Sequence, residues 1–519
     1  MKAKNPKPFV GIDFGTTYSS VCLWRNNNIE LIANNNSNYS TPSIVTIQEE
    51  GEPLIGEPAK EAAVFNPTST IYDSKRMIGR KFDSKEIQED IKHWPFKVVN
   101  HENTPMIEVK FGEKIEKYSP IQISSYILGH MKGIVDNYLS LNTNDPIDAV
   151  ITAPAYYDAV QRAAIMEAAK MANIHVLRII DEPTAAAIAY GLKNEPYEIS
   201  KKILVFDFGG GTLDLSLLEV QKYNFKVIDI GGDMHLGGQD FDNNLVEYFV
   251  QKFNSKYKCD LHKDKRAMSL LKNACEDVKT RLSKVPSTKI SIPSLYNSID
   301  YNDKITRATF EDINFDLFER MMIPVKKLLK HNKVKKGDID NVILVGGSSR
   351  IPKVRKILSD YFGEELISKN IDPDKAVVQG AAIDAANEEK EGEFPIVTYT
   401  SVVSHPIGIE TNGTDMDIII ARGEQIPYKS KPKYYSPANK YVPVVDIKVF
   451  VGENPKTCDN VFLGKFRLSG IKIPDNGQIP KIQVVLEVDQ NGILSVTAED
   501  MCGGASEGIQ IHVEKILDL

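Results

Sequence analysis

The stretch "ILVFDFGGGTLDLSLL" (residues 203–218) decides the fold. An apolar, strand-forming run stops at Asp207, passes through Gly209, Gly210, Gly211 and Thr212, and then resumes. "FVGIDFGTTYSSVCLW" (residues 9–24) has the same layout, with Asp13 answering to Asp207 and Gly15 to Gly209. Each reads as two antiparallel strands joined by a tight glycine turn with an aspartate two residues before the first glycine. Glycine tolerates positive φ and lets backbone N–H groups approach a ligand closely. Successive inward N–H groups form an anion nest. Thr16, Thr17 and Thr212 add hydroxyl donors. Asp13 and Asp207 cannot bind phosphate themselves, but they can hold Mg²⁺, directly or through water. One such turn is usually a plain hairpin. Two in one chain predict a clamp that grips a nucleotide triphosphate from both sides.

Working outward, residues 8–386 alternate short apolar runs with amphipathic stretches, as in "DAVITAPAYY" followed by "DAVQRAAIMEAAKMAN". That alternation predicts an α/β architecture. "NEEKEGEFPIV" begins a linker over 387–398. From 399 to 515 the pattern becomes period two, as in "VPVVDIKVFVGE" and "KIQVVLEVDQNGILSVTAED", with an Asn-Gly hairpin signal. This part predicts a β-sandwich. The chain is expected to end with it.

The 519 residues suit roughly three or four domains of about 150 residues each. Net charge is −7, so bulk attraction to nucleic acid is not expected. No apolar run is long enough to span a bilayer. The basic N-terminus lacks the apolar core of a signal peptide. Five scattered cysteines without a C-x-x-C pair argue against a disulfide framework or zinc site, and predict a cytoplasmic protein.

Other residues fit a clamp. Lys75 in "YDSKRMIGRKF" offers a compact charge for a phosphoryl oxygen; alone it would read as a surface lysine. Glu182 in "IIDEPTAAA" stands at a helix start, where it could orient a water or merely satisfy the helix dipole. "VGGSSRIP" offers Gly346 and Gly347 for close approach to a base and Arg350 to stack on it; the plainer reading is a strand-to-helix turn capped by Ser348 or Ser349.

In this order, "GIDFGTTYSSV", "SKRMIGRKF", "VLRIIDEPTAAAIAYGL", "VFDFGGGTLDLSLLEV", "HLGGQDFDNNLV", "VILVGGSSRIPKV" and "GAAIDAA" resemble the 70-kDa heat-shock (DnaK-type) protein family. The resemblance covers essentially the whole chain. It implies an actin-like, two-lobed ATPase domain around Mg-ATP or Mg-ADP, then a β-sandwich that grips unfolded or nascent polypeptide. By the same resemblance, Asp13 and Asp207 would organise Mg²⁺, and Lys75, Glu182 and Thr212 would position the attacking water and the γ-phosphate. Gly15, Thr16, Thr17, Tyr18 and Gly209 to Gly211 would cradle phosphates. Gly238, Glu276, Lys279, Ser283, Gly346, Gly347, Ser348, Arg350 and Asp374 would surround the nucleotide. Pro154 and Arg162 would relay nucleotide state between domains, and Met416 and Val445 would line the peptide groove. A J-domain co-chaperone and a nucleotide exchange factor are the partners it implies.

The chain also departs from that pattern. A helical lid is not expected after the sandwich. "VTYTS" (397–401) stands where the family has a leucine-rich linker, which puts interdomain coupling in question. Ala159 replaces a customary aspartate. Thr280 replaces an arginine that stacks on adenine, at a loss of about 1 kcal/mol, and Arg281 points about 100° round the helix. Asp415 and Asp417 flank Met416 and are read as facing solvent. These departures suit a second reading: a ribosome-associated regulator that binds ATP and, with a J-domain partner, stimulates another chaperone. The loop "PYKSKPKYYSPANKYVP", with Lys429, Lys431, Lys433, Lys440, Tyr434 and Tyr435, bears on it, since such a loop can touch ribosomal RNA but more often is simply solvated. A sugar kinase on the same fold would have no use for the sandwich.

Overall fold

The computed structural model describes residues 9–25, 28–194, 196–388, 396–437, 441–472, 478–503 and 506–510. Residues 389–395 of the predicted linker, Lys440 and the sandwich end at 511–515 lie outside the described residues.

The repeated sequence device becomes a repeated topology. Phe9–Asp13, Tyr18–Arg25 and Asn28–Ile32 form an antiparallel meander, and Ile147–Ala153 and then Ile174–Asp181 join in parallel beside Phe9–Asp13. In the second lobe Lys201–Phe208, Leu213–Gln221 and Asn224–Asp233 form the equivalent meander, with Asn341–Val345 parallel to Lys201–Phe208. The central strands are apolar on both faces because helices cover both faces. Leu204, Phe206, Phe208, Leu213 and Leu215 are fully buried in the second lobe's core.

Helices Glu182–Lys193 and Ala376–Glu388 cross between the sheets. Their alanine-rich sequences allow that approach: a Cβ on Gly380 would lie 1.8 Å from the Ala185 carbonyl oxygen. Helix Ala159–Met171 starts at a capping box in which Asp158 accepts from the Gln161 amide at 2.9 Å.

The C-terminal part is a two-sheet sandwich. One sheet runs Asp415–Ile420, Ile407–Thr411, Val444–Val451, Val461–Ser469; the other is built on Ile482–Val488, Leu494–Asp500 and Ser506–Gln510. Inward-facing Ile409, Val449, Leu486 and Val496 form its core.

Several contacts connect sandwich and lobes among the described residues. Strand Thr398–Val402, the polar "VTYTS" segment, pairs in parallel with Asn224–Asp233 and antiparallel with Gln425–Ile426, extending the second lobe's sheet to the sandwich. The polar sequence therefore does not prevent docking. The Asn491-Gly492 hairpin, with Gly492 at φ +78°, reaches the first lobe, where the Ile179 amide donates to Asn491 Oδ1 at 3.0 Å and Ile493 is buried. Ala159 and Val160 pack into the sandwich's apolar cluster, so the contact at this position is apolar.

Candidate functional site

The two glycine hairpins meet. A Cβ on Gly210 would lie 1.8 Å from Thr17 Oγ1, and one on Gly211 2.7 Å from Thr16 Cγ2. Only glycine permits this approach, since nothing larger than hydrogen fits between the turns. Gly209 closes its own turn, its amide donating to the Thr212 carbonyl at 3.1 Å. The loop after Asn341–Val345 presses on the second hairpin: Gly346 has φ +78°, and its Cβ would lie 2.4 Å from the Phe208 carbonyl oxygen.

Behind the hairpins stands a group of buried acids around one lysine. Lys75, on the short helix Ser74–Met77, pairs with Glu182 at 2.8 Å and donates to the Phe14 carbonyl. Thr152 Oγ1 donates to Asp13 Oδ1 at 2.9 Å. Asp214 lies directly across the hairpin from Asp207. Burial, then repulsion from Glu182, pushes Asp13 up to about 7 against the opposing pull of Lys75 and Thr152. Asp214 is raised to about 7 by burial and Glu182, and Asp207 is raised by burial, Glu182, Asp214 and Asp13. A donor set of this chemistry suits a hydrated divalent cation. Among the described residues no three His, Cys, Asp or Glu side chains form a chelating set. Mg²⁺ keeps several waters and takes only one or two carboxylates beside substrate phosphates, and Asp13 and Asp207 at the cavity floor are donors of that kind. Thr17 Oγ1 is buried without a hydrogen-bond partner and sits where the hairpins converge.

Above the hairpins opens a cavity of about 1050 Å³, at the upper end of the small-molecule range. Asp13, Gly15, Thr16, Thr17, Tyr18, Glu182, Asp207, Gly209 to Gly211, Thr212, Gly238, Glu276, Lys279, Ser283, Gly346, Gly347, Ser348, Arg350 and Asp374 all line it. Lys75 lies just behind it. Arg350 is held by Asp372 and Asp374, each at 2.7 Å. Thr280 lines the cavity, whereas Arg281 turns away to the Lys289 carbonyl. Lys60 crosses the mouth to Glu276 at 2.7 Å, beside the Tyr18 hydroxyl.

Four residues that sequence reasoning missed support this floor. Thr152 and Asp214 hold or oppose the aspartates. Arg76 donates to the Gly211 carbonyl at 3.0 Å and pairs with Asp240 and Asp90, bridging the lobes. Asp242 pairs with Lys279 at 2.5 Å. Only the alternation in "TLDLS" hinted at Asp214; nothing in the local sequence marks the others.

Pro154 ends strand Ile147–Ala153, and its carbonyl accepts from the Tyr157 amide at 3.1 Å. Arg162 pairs with Asp181, next to Glu182, at 2.5 Å and underlies the Gly492 turn.

Met416 and Val445 are not brought together. Met416 lies opposite Glu410 on the outer face of its sheet, while Val445 shares the inner face with Ile447 and Val449. Strand alternation puts Asp417, opposite Ile409, on the inner face with Val445. Nor are Asp415 and Asp417 simply solvated, for Asp415 pairs with Lys456 at 2.5 Å and Asp417 with Lys433 at 2.9 Å.

A two-lobed mixed α/β fold around an interlobe cavity, followed by a β-sandwich, defines the class of actin-like ATPase domains that carry a β-sandwich. The family model described as "Hsp70 protein" matches residues 9–518. "Heat shock 70 kDa protein 2" of Paracoccidioides lutzii is 43% identical over 511 residues, covering 98% of this chain and 77% of that protein. "Heat shock cognate 70 kDa protein 3" of Dictyostelium discoideum is 43% identical over 511 residues, covering 98% of this chain and 80% of that protein. The chain belongs to the Hsp70 family.

Proposed function

We propose that this protein is an ATP-dependent molecular chaperone that binds unfolded or nascent polypeptides, with a nucleotide-binding domain over 8–386, a linker over 387–398 and a substrate-binding sandwich over 399–515. The observation that carries the reading is the contact between Gly210-Gly211 and Thr16-Thr17, which sets two anion-binding turns against each other at the base of one cavity.

In this reading Asp13 and Asp207 would hold a hydrated Mg²⁺, which would neutralise charge on the nucleotide's phosphates. The hairpin amides and Thr16, Thr17 and Thr212 bind phosphate oxygens. Lys75 places a positive charge beside the γ-phosphate, and Glu182, fixed by that lysine, orients the attacking water. Such catalysis is positioning and electrostatics more than covalent chemistry. Arg350, pre-set by Asp372 and Asp374, offers its guanidinium plane to the base from one side, while Thr280 leaves the other side without a stacking cation. Cytoplasmic location, a J-domain partner and an exchange factor belong to the same reading; among the described residues no helix is long and apolar enough to cross a membrane.

The test is ATP turnover with and without an unfolded peptide and a J-domain protein. Stimulation by both is expected; no uptake of MgATP by calorimetry would sink the reading. A second reading, an ATP-binding but non-catalytic ribosome-associated regulator, is favoured by Lys431 and Tyr434, which are exposed on the basic loop. Against it, Lys429 and Lys433 are paired with Glu487 and Asp417. Tight MgATP binding without turnover, together with ribosome co-sedimentation lost in Lys431→Glu, would favour the second reading.

A further inference from the structure

The linker strand is polar in its middle, yet it is docked. Val397 and Val402 are buried at its two ends. Its backbone is satisfied by the parallel pairing with Asn224–Asp233, by the Thr398 amide donating to the Tyr223 carbonyl at 3.0 Å, and by Asn387, whose side chain bonds both the amide and the carbonyl of Val397. Two alternate side chains on one face, Tyr399 and Ser401, then reach into the lobes.

Tyr399 meets a charged pair. Arg178 Nη1 donates to its hydroxyl at 2.9 Å, and that hydroxyl donates to Asp384 Oδ2 at 3.0 Å. The Arg178 guanidinium also lies over the phenol ring, 5.3 Å from its centroid. Arg178 and Asp384 are themselves 3.7 Å apart at their nearest charged atoms, too far for a direct hydrogen bond, and Asp384 is 1% exposed. A phenol can accept from the guanidinium and donate to the carboxylate at once. An aliphatic side chain at 399 would remove the hydroxyl that bonds both charged groups, although their own 3.7 Å ion pair would remain. Two residues on, Ser401 donates to Asp181 Oδ2, whose other oxygen is held by Arg162. Asp181 immediately precedes Glu182, the partner of Lys75.

We infer that Tyr399 is a positioning residue, a hydrogen-bonded latch that holds the interdomain strand on the ATPase lobes through Arg178 and Asp384. Ser401 ties the same strand to the residue beside Glu182, so release of the strand leaves the Asp181 carboxylate to Arg162 and removes the contact between the strand and the neighbour of the water-positioning acid. The inference names the regulation of the proposed ATPase and rests on that reading for its consequence, though not for its geometry.

The test is hydrogen exchange of the 398–402 amides in the full chain, read by mass spectrometry with and without MgATP. Removing one partner of a buried, charge-assisted hydrogen bond shifts such an equilibrium about 5- to 150-fold. Tyr399→Phe, which keeps the ring and its volume, is therefore expected to speed exchange of these amides by that factor while leaving the melting temperature nearly unchanged. Tyr399→Leu is expected to speed it at least as much; a strand held by apolar burial would instead stay protected in the leucine variant. Asp384→Asn combined with Tyr399→Phe should change exchange no more than the stronger single change, because both break one network. Parent-like protection in Tyr399→Phe, or additive effects in the pair, would overturn the latch. A parent chain that takes up no MgATP would remove the functional reading but leave the nucleotide-free comparison to judge the latch by itself.

Discussion

Gly210 and Gly211 give the sharpest residue-scale test. A methyl group at Gly210 would overlap Thr17 Oγ1, so the hairpins must separate. Overpacking of this kind costs about 1–3 kcal/mol. Gly210→Ala is expected to weaken MgATP binding by about 5- to 150-fold in titration calorimetry, whereas Gly337→Ala, with nothing within 4 Å of the new methyl group, should bind like the parent. Lys75 is the second. Its side chain is 2% exposed and is the cation among Asp13, Glu182, Asp207 and Asp214. Removing one member of a buried pair strands its partner, at about 3–5 kcal/mol. Lys75→Met should lower the thermal midpoint and abolish turnover, and added Mg²⁺ should restore part of the stability but not the turnover. Full turnover in that variant would remove Lys75 from the mechanism.

At the scale of the element, the doubled strand-turn-strand was legible because both its cues are local. An aspartate at a strand end and a run of glycines need no tertiary information to be recognised. The helix over 159–171 was legible for the same reason, and its capping box gives a measurable consequence. Asp158→Ala removes the acceptor for the Gln161 amide and should cost about 1 kcal/mol in urea unfolding; no loss would mean the end is held by packing against the sandwich alone. The linker strand was not legible. "VTYTS" has no apolar periodicity, and its docking depends on Arg178 and Asp384, which lie 221 and 15 residues from Tyr399.

On the scale of the whole molecule, the sandwich sits against the lobes through a mixed interface. Arg422 bridges Asp229 and Glu453, each at 3.1 Å, and Lys327 reaches Glu453 at 3.3 Å. Beside them the His405 ring meets the Tyr156 ring with centroids 4.1 Å apart. Burial, then the Arg422 charge, lowers His405 from 6.5 to about 4. The docked state thus binds fewer protons than the undocked state between those values, and docking must weaken as pH falls from about 6.5 towards 4, by at most about 3 kcal/mol. Small-angle scattering across that range should show the molecule extending at the acid end, and His405→Gln should flatten the response. An unchanged profile in that variant would assign the effect to other groups.

The sequence by itself determined the two acid-tipped turns and the α/β-then-β order, because turn chemistry and hydrophobic period act within a few residues; Gly238, Glu276, Lys279, Ser283 and Asp374 were named only through the family resemblance, since nothing local marks them. Tertiary structure alone decided that the turns touch, that Thr152, Asp214 and Arg76 support them, that Met416 and Val445 face opposite ways, and that a polar strand is held by Tyr399. Those outcomes depend on which side chains the fold buries together over long separations. Burial is what turns an ordinary tyrosine, threonine or arginine into a partner that a distant charge cannot do without.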